Sequence, residues 1–350
     1  MASFVPFLGM AIVVLAEVSS MIVSKQAMSK GLSEFILAFY SNGFSTMVLL
    51  PSCFIFHRSD ELRSLSFSLL SSFFLLGLVG CSGMLLGYAG LQYSSATLNT
   101  AMLNLKPAFT FILALIFRME KLNLRKSSSQ AKSVGTVVSI AGAFIMTFYQ
   151  GPPVIKAAIY HLGFTKTKPF LFISQSHWIL GGFLLAAESF AASLWFIIQA
   201  SILKKYPAVL IIILSYSFFV TVESGIIALI MEKDLSAWRL QPDIRLVAVL
   251  YAGIIRNAFR FCLLTWCLKE TGPLYVSMFE PLSVVVADLI DVLFLGQTLY
   301  LGSLVGAAVI IIGFYGVMWG KAKEQKAGEI SEEGSLESSS ENVPLLQNKN

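Results

Sequence analysis

The feature that most constrains this chain is a pair of apolar runs, 273–295 and 301–319, separated by a short polar break. At 1.5 Å rise per residue each can cross a hydrocarbon core of ~30 Å, so together they predict a transmembrane hairpin. In the first run Glu280 stands directly before Pro281. The proline removes the backbone donor to Ser277 and kinks the helix with an acid at the bend. An earlier stretch, 98–149, repeats the design: Pro107 follows Lys106 inside an apolar run, and Gly135 and Gly142 open the next run as Gly306 and Gly313 do later.

Composition extends this reading to the whole chain. Of 350 residues 56% are hydrophobic and 13% charged, and the mean hydropathy is +0.76. Soluble folds are excluded, and an all-α membrane protein is expected. Ten spans are predicted at 4–24, 35–56, 67–90, 96–117, 134–149, 177–200, 208–231, 246–268, 273–295 and 301–319. Lys and Arg concentrate in the loops at 57–63, 118–132 and 204–205, at Lys269 and in the tail, which predicts that both termini are cytosolic.

Five spans per half is an odd number, so the halves must sit upside down relative to each other. The sequence supports the pairing. Leu8-Gly9 before Glu17 resembles Leu180-Gly181 before Glu188, Pro107 maps onto Pro281, and Gly135 maps onto Gly306. The expected organisation is a five-helix repeat over 1–150, a connecting loop over 151–176 and a second repeat over 177–320. Residues 321–350 are too polar to bury a core and are expected to be a disordered cytosolic tail. Within the tail, Glu341, Leu345 and Leu346 form an acidic dileucine pattern of the kind that sorting adaptors read.

Other chemistries find no residues. Cys53, Cys81, Cys262 and Cys267 all fall inside apolar runs, without metal-ligand spacing, and read as small buried hydrophobes. His57, His161 and His177 lack a partner at metal spacing, and no nucleophile elbow, phosphate loop or dinucleotide fingerprint is present. No metal, cofactor or catalytic residue is therefore expected. The net charge of +5 sits mostly in loops and carries topology, so no nucleic-acid partner is expected. Glu17 interrupts what would be the core of a signal peptide, so the first helix is expected to be retained.

The informative residues are charges that lie within spans: Glu17, Lys106, Glu188, Glu223, Arg256, Arg260, Glu280, Asp288 and Asp291. At roughly 3 kcal/mol each on insertion scales, they must pair with one another or line water. Arg260 and Glu280 lie at similar depth on either side of the 269–272 turn, which predicts an ion pair. Arg256, Asp288 and Asp291 extend it to two arginines facing three carboxylates, as a structural network or as part of a site. Lys106 and Glu280 are pseudo-symmetric neighbours at the kinks made by Pro107 and Pro281. One basic and one acidic group near the midplane suit a zwitterion, with Asn99, Asn104 and the freed carbonyls of Leu103 and Ser277 as further contacts. Alternatively the two neutralise each other, or Lys106 snorkels. Glu17 and Glu188, at matching positions in the first span of each half, are candidate proton carriers or acids bonded to a neighbouring helix. Tyr88, Trp195, Phe196 and Trp266 are candidate cavity walls or packing residues.

These stretches also carry a family resemblance. LNLKPAFTFILALIFRMEKL (103–122), SHWILGG (176–182), ILKKYPA (202–208), GPLYVSMFEPLSVVVA (272–287) and LGQTLYLGSLVGAAVIIIGFYGVMWGKAKE (295–324) resemble plant nodulin-like, walls-are-thin-related transporters. That family belongs to the drug/metabolite transporter superfamily with paired EamA-type repeats. The resemblance implies ten helices, inverted repeats, cytosolic termini, and movement of amino acids or, for some members, auxin-related compounds across a plasma or vacuolar membrane. Gln297 stands where the family pattern has an acid, and Arg256, Arg260, Asp288 and Asp291 also depart from it. The expected function is a transporter of small polar metabolites embedded in the lipid bilayer. The alternatives are a receptor or scaffold acting through its tail, a pore, or a carrier of auxin-like organic acids.

Overall fold

In hydrocarbon each backbone amide must find its partner within its own segment, so long apolar runs can only be helices. The computed structural model describes residues 4–56, 67–94, 96–120, 125–149, 151–155, 175–295 and 299–341. Among these, ten helices are long and apolar enough to cross a membrane. Spans one to five are Val5–Ser29, Glu34–Ile55, Phe67–Tyr93, Leu98–Ile116 and Ser127–Phe148. Spans six to ten are Ile179–Lys205, Val209–Met231, Ile244–Thr271, Pro273–Ile290 and Leu301–Glu324.

Their packing shows the internal symmetry. Span three lies along span six and span eight along span one, while spans two and seven, and five and ten, pack against each other. Adding five to each number carries this pattern onto itself. Because five is odd, equivalent helices run in opposite senses, giving two inverted five-helix repeats. A short antiparallel pairing of Pro153–Ile155 with Leu299–Tyr300 ties the inter-repeat connection to the start of span ten.

Glycine sets the closest approach. A Cβ on Gly135 would lie 2.6 Å from the Gly313 carbonyl oxygen, and one on Gly142 would lie 2.7 Å from the Ile310 nitrogen. Gly306 would meet Met146 at 2.5 Å and Gly320 the Ser128 carbonyl at 2.6 Å. Spans five and ten therefore meet backbone to backbone, the packing role expected of small residues in membranes.

Four elements differ from the sequence reading. Span four is two helices, Ala96–Leu103 and Lys106–Ile116, and span nine is Pro273–Ser277 followed by Phe279–Leu295. The breaks fall just before Pro107 and Pro281, which occupy the first turns of the new helices, where a missing donor costs nothing. Span eight contains a π-helical stretch, Ala252–Arg260, between α-helical ends. The expected disorder from residue 321 is corrected: the last helix runs from Leu301 to Glu341. Ala, Lys, Glu and Gln there are strong helix formers. The side chain of Glu341, and Leu345 and Leu346 entirely, lie outside the described residues, as does Gln297.

At the end of the bundle where span five begins and span ten ends, called the inner end below, Lys132 is also corrected, from a loop cation to a fully buried one. It donates to Glu120 at 2.9 Å and to Glu324 at 2.8 Å. Lys321 pairs with Glu120 and donates to the Thr271 carbonyl at 3.3 Å. Burial alone would raise the Glu120 carboxyl, but Lys321 and Lys132 beside it hold it below the ordinary value of 4.5. With a lowered folded-state value, this contribution to stability is present above pH 4.5 and is lost as the pH falls through that value.

Two predictions follow from this packing. Gly142→Leu or Gly313→Leu forces the spine apart at a cost of at least ~1–3 kcal/mol, read as a drop of several degrees in the thermal midpoint of detergent-purified protein. Gly43→Ala, whose Cβ would touch only Thr221 at 3.5 Å, leaves the midpoint unchanged. Lys132→Met leaves Glu324 without its cation and Glu120 with Lys321 alone, and costs about 1–3 kcal/mol near neutral pH; the gap from the parent protein narrows in melts taken below pH 4.5.

Candidate functional site

The two broken spans place the principal charges. Hydroxyls of span six fix span four on either side of its break. Ser189 Oγ donates to the Met102 carbonyl at 2.6 Å and Ser193 Oγ to the Lys106 carbonyl at 2.9 Å. Ser189 and Ser193 are one turn apart, so a single face of span six stabilises the break. Lys106 is thereby held at the start of a half-helix, and Glu280 holds the equivalent place in span nine. Their side chains meet: Lys106 Nζ lies 3.1 Å from Glu280 Oε2.

This pair lines a cavity of about 230 Å³. Span six contributes Glu188, Trp195 and Phe196, span seven Tyr216, and span eight Arg260 and Phe261. The Glu188 carboxyl fits against Gly87 of span three, where a Cβ would lie 2.7 Å from it. Its Oε2 is buried with no hydrogen-bond partner, and Lys106, Glu34 and Glu280 are its electrostatic neighbours. Trp195, Tyr216 and Phe261 form an aromatic box with centroids 5.5–5.7 Å apart. Arg260, 5.2 Å over the Phe261 ring, belongs to the same wall.

The structure redistributes the expected partners. Arg260 pairs with Glu17 of span one and not with Glu280. Depth was read correctly, since Glu17, Arg260 and Glu280 all line one small adjoining pocket. The partner differs because Lys106, on a broken helix, reaches Glu280 first. Glu17 is thus a counterion within span-to-span packing. Arg256 donates to Asn257 at 3.3 Å, and Asn257 donates to Ser41 at 3.0 Å. Asp288 accepts from Ser303 of span ten at 3.2 Å. Arg260, Arg256 and Asp288 of the expected face thus take partners on spans one, eight and ten. The Asp291 side chain lies outside the described residues.

Among the expected binding residues, Lys106, Glu280 and Trp195 line the cavity, whereas Asn99, Asn104 and Tyr88 do not. Asn104 is buried at the span-four break with Nδ2 unpartnered, Asn99 Oδ1 is likewise unpartnered, and Tyr88 packs edge-on against Phe35 at 4.8 Å. Sequence reasoning missed Tyr216, Phe261 and the serines of span six. It also missed the π-helical stretch, a feature frequent at functional sites that leaves no periodicity signal.

Comparison with known proteins agrees with this architecture. Residues 6–148 and 179–319 match the EamA-like transporter family. WAT1-related protein At3g28050 of Arabidopsis thaliana is 43% identical over 98% of this chain and 95% of its own length. WAT1-related protein At5g40240 from the same plant is 41% identical over 98% of this chain and 92% of its own. A solved crystal structure, only 13% identical, superposes with a TM-score of 0.66 over 89% of this chain and 95% of that one, which supports the fold. The chain belongs to the EamA-like transporter family, as a multi-pass integral membrane transporter alongside the WAT1-related proteins of plants.

Proposed function

We propose that this transporter carries amino acids by alternating access, with Lys106 taking the solute carboxylate and Glu280 its ammonium group. The observation that carries this reading is the Lys106–Glu280 ion pair, 3.1 Å long and lining the central cavity at two pseudo-symmetric helix breaks. Without solute the two groups satisfy each other, so neither charge stands unpaired in a low dielectric. A zwitterion replaces one ion pair by two of the same kind. Its binding therefore costs little desolvation, and a solute with only one of the charges leaves a partner unmatched. Glu188, beside Lys106 and without a fixed partner on Oε2, is the acid best placed to exchange a proton during the cycle. Glu17, held by Arg260, serves instead to fix span one against span eight.

A second reading rests on the aromatic box. Trp195, Tyr216 and Phe261 offer flat faces to an aryl group, and an auxin-like aryl carboxylate would then use Lys106 alone. In either case the inner end of the bundle is assigned to the cytosol, in a plasma or vacuolar membrane, with the acidic dileucine pattern at Glu341, Leu345 and Leu346 as an adaptor site.

Flux into proteoliposomes from a panel of labelled amino acids, aryl acids and sugars tests these readings. Lys106→Gln raises the half-saturation concentration for amino acids about tenfold, the scale of one buried charge-assisted bond, with membrane abundance intact; unaltered uptake removes Lys106 from the site. Glu280→Gln separates the readings, weakening amino-acid transport while sparing or improving aryl-acid transport. Glu188→Gln flattens the pH dependence of flux, and an unchanged slope would reject the proton role.

A further inference from the structure

A second chamber, of about 210 Å³, lies at the inner end between spans six, eight and nine. Its walls include Ala200, Leu203, Leu268 and Gly272, and its two charged lining residues are Lys204 and Lys269. The walls continue those of the central cavity. On span six the lining steps from Phe196 to Ala200, and on span eight from Leu264 to Leu268, one turn in each case. On span nine, Glu280 borders the central cavity and Pro273 the inner chamber, about 10 Å apart along the helix. Between them lie Phe196, Leu264 and Val276, buried and part of one apolar cluster. The two chambers are thus stacked on a common axis and separated by a thin apolar layer.

The inner chamber is also chemically biased. Lys204 and Lys269 are exposed, and Lys269 reaches only the Pro207 carbonyl at 3.5 Å. Of the acids near its rim, Glu120 is already held by Lys132 and Lys321, and Glu270, next to Lys269, is exposed and outside the lining. Two exposed cations therefore border a half-open, partly apolar space with no carboxylate among its described lining residues, a combination that concentrates anions.

We propose that this chamber is a second solute station, an inner vestibule that collects carboxylate-bearing solutes on Lys204 and Lys269 before the layer of Phe196, Leu264 and Val276 opens and Lys106 receives the carboxylate. The vestibule rests on the transporter reading, but its charge selectivity can be measured without flux. Cysteine placed at Ala200, or at Leu203 as a second site, is reacted from the inner face of membrane vesicles with sulfonatoethyl and trimethylammonioethyl methanethiosulfonates. Rates are normalised to each reagent's rate on free thiol and corrected for the unsubstituted protein. The expected result is a preference for the anionic reagent of about tenfold, lost in Lys204→Gln/Lys269→Gln. Absence of labelling, or labelling without charge preference, overturns the proposal.

Flux gives an arm that does not depend on the cysteine variants folding. Lys204→Gln/Lys269→Gln raises the half-saturation concentration for carboxylate solutes presented from the inner side severalfold and leaves that from the outer side unchanged, while Lys205→Gln alters neither. Equal effects from both sides would sink the vestibule. Preserved charge-selective labelling with no flux of any solute would instead count against the transporter reading.

Discussion

An ionised side chain cannot remain unpartnered in hydrocarbon, and this constraint organises the molecule. Lys106 and Glu280 could each be neutralised in many ways, but the chain brings them together from different repeats, each at the start of a half-helix. The pairing requires the two repeats to face each other in opposite senses. It also requires the breaks, because only an interrupted helix presents a side chain and free backbone groups at the same depth. The serines of span six bond to carbonyls on either side of the span-four break and lock the two half-helices against span six.

Not all charges have the same task. The Arg260–Glu17 pair joins spans eight and one, and the Glu120, Lys132, Lys321 and Glu324 network joins the inner ends of spans five and ten to the turn before span nine. These contacts hold helices to helices. Glu188 differs in place: like Glu223 it has a buried carboxylate oxygen without a hydrogen-bond partner, but it alone of the two lines the central cavity. A structural acid is usually satisfied, and an unsatisfied one is where chemistry enters.

Much of the fold could be read from the residues. Run length gave the ten spans, the odd number per half gave the inversion, and Pro107 and Pro281 marked the interruptions. The pairing of charges was less legible. Depth can be counted along a helix, which is why Arg260 and Glu280 were expected at one level; Glu17, on span one, was not foreseen there. Which of them touch depends on rotation and on the lateral order of helices, which no local pattern records. Lys132 was misread for the same reason: five residues past the start of a helix, it looks like a loop cation until the partners from Glu120 and the distant Glu324 are in place. The π stretch of span eight and the aromatic box depend on tertiary packing alone.

The glycine contact between spans five and ten carries a mechanical consequence. Side chains can change rotamer and let helices slide, but Gly135, Gly142, Gly306 and Gly313 bring main chain against main chain, so the spacing there is fixed by covalent geometry. That helix pair, which the pseudo-symmetry maps onto itself, leaves no room for a side chain between the two backbones. Under alternating access it would act as a fixed seam, with the rearrangement falling to helices joined through side chains.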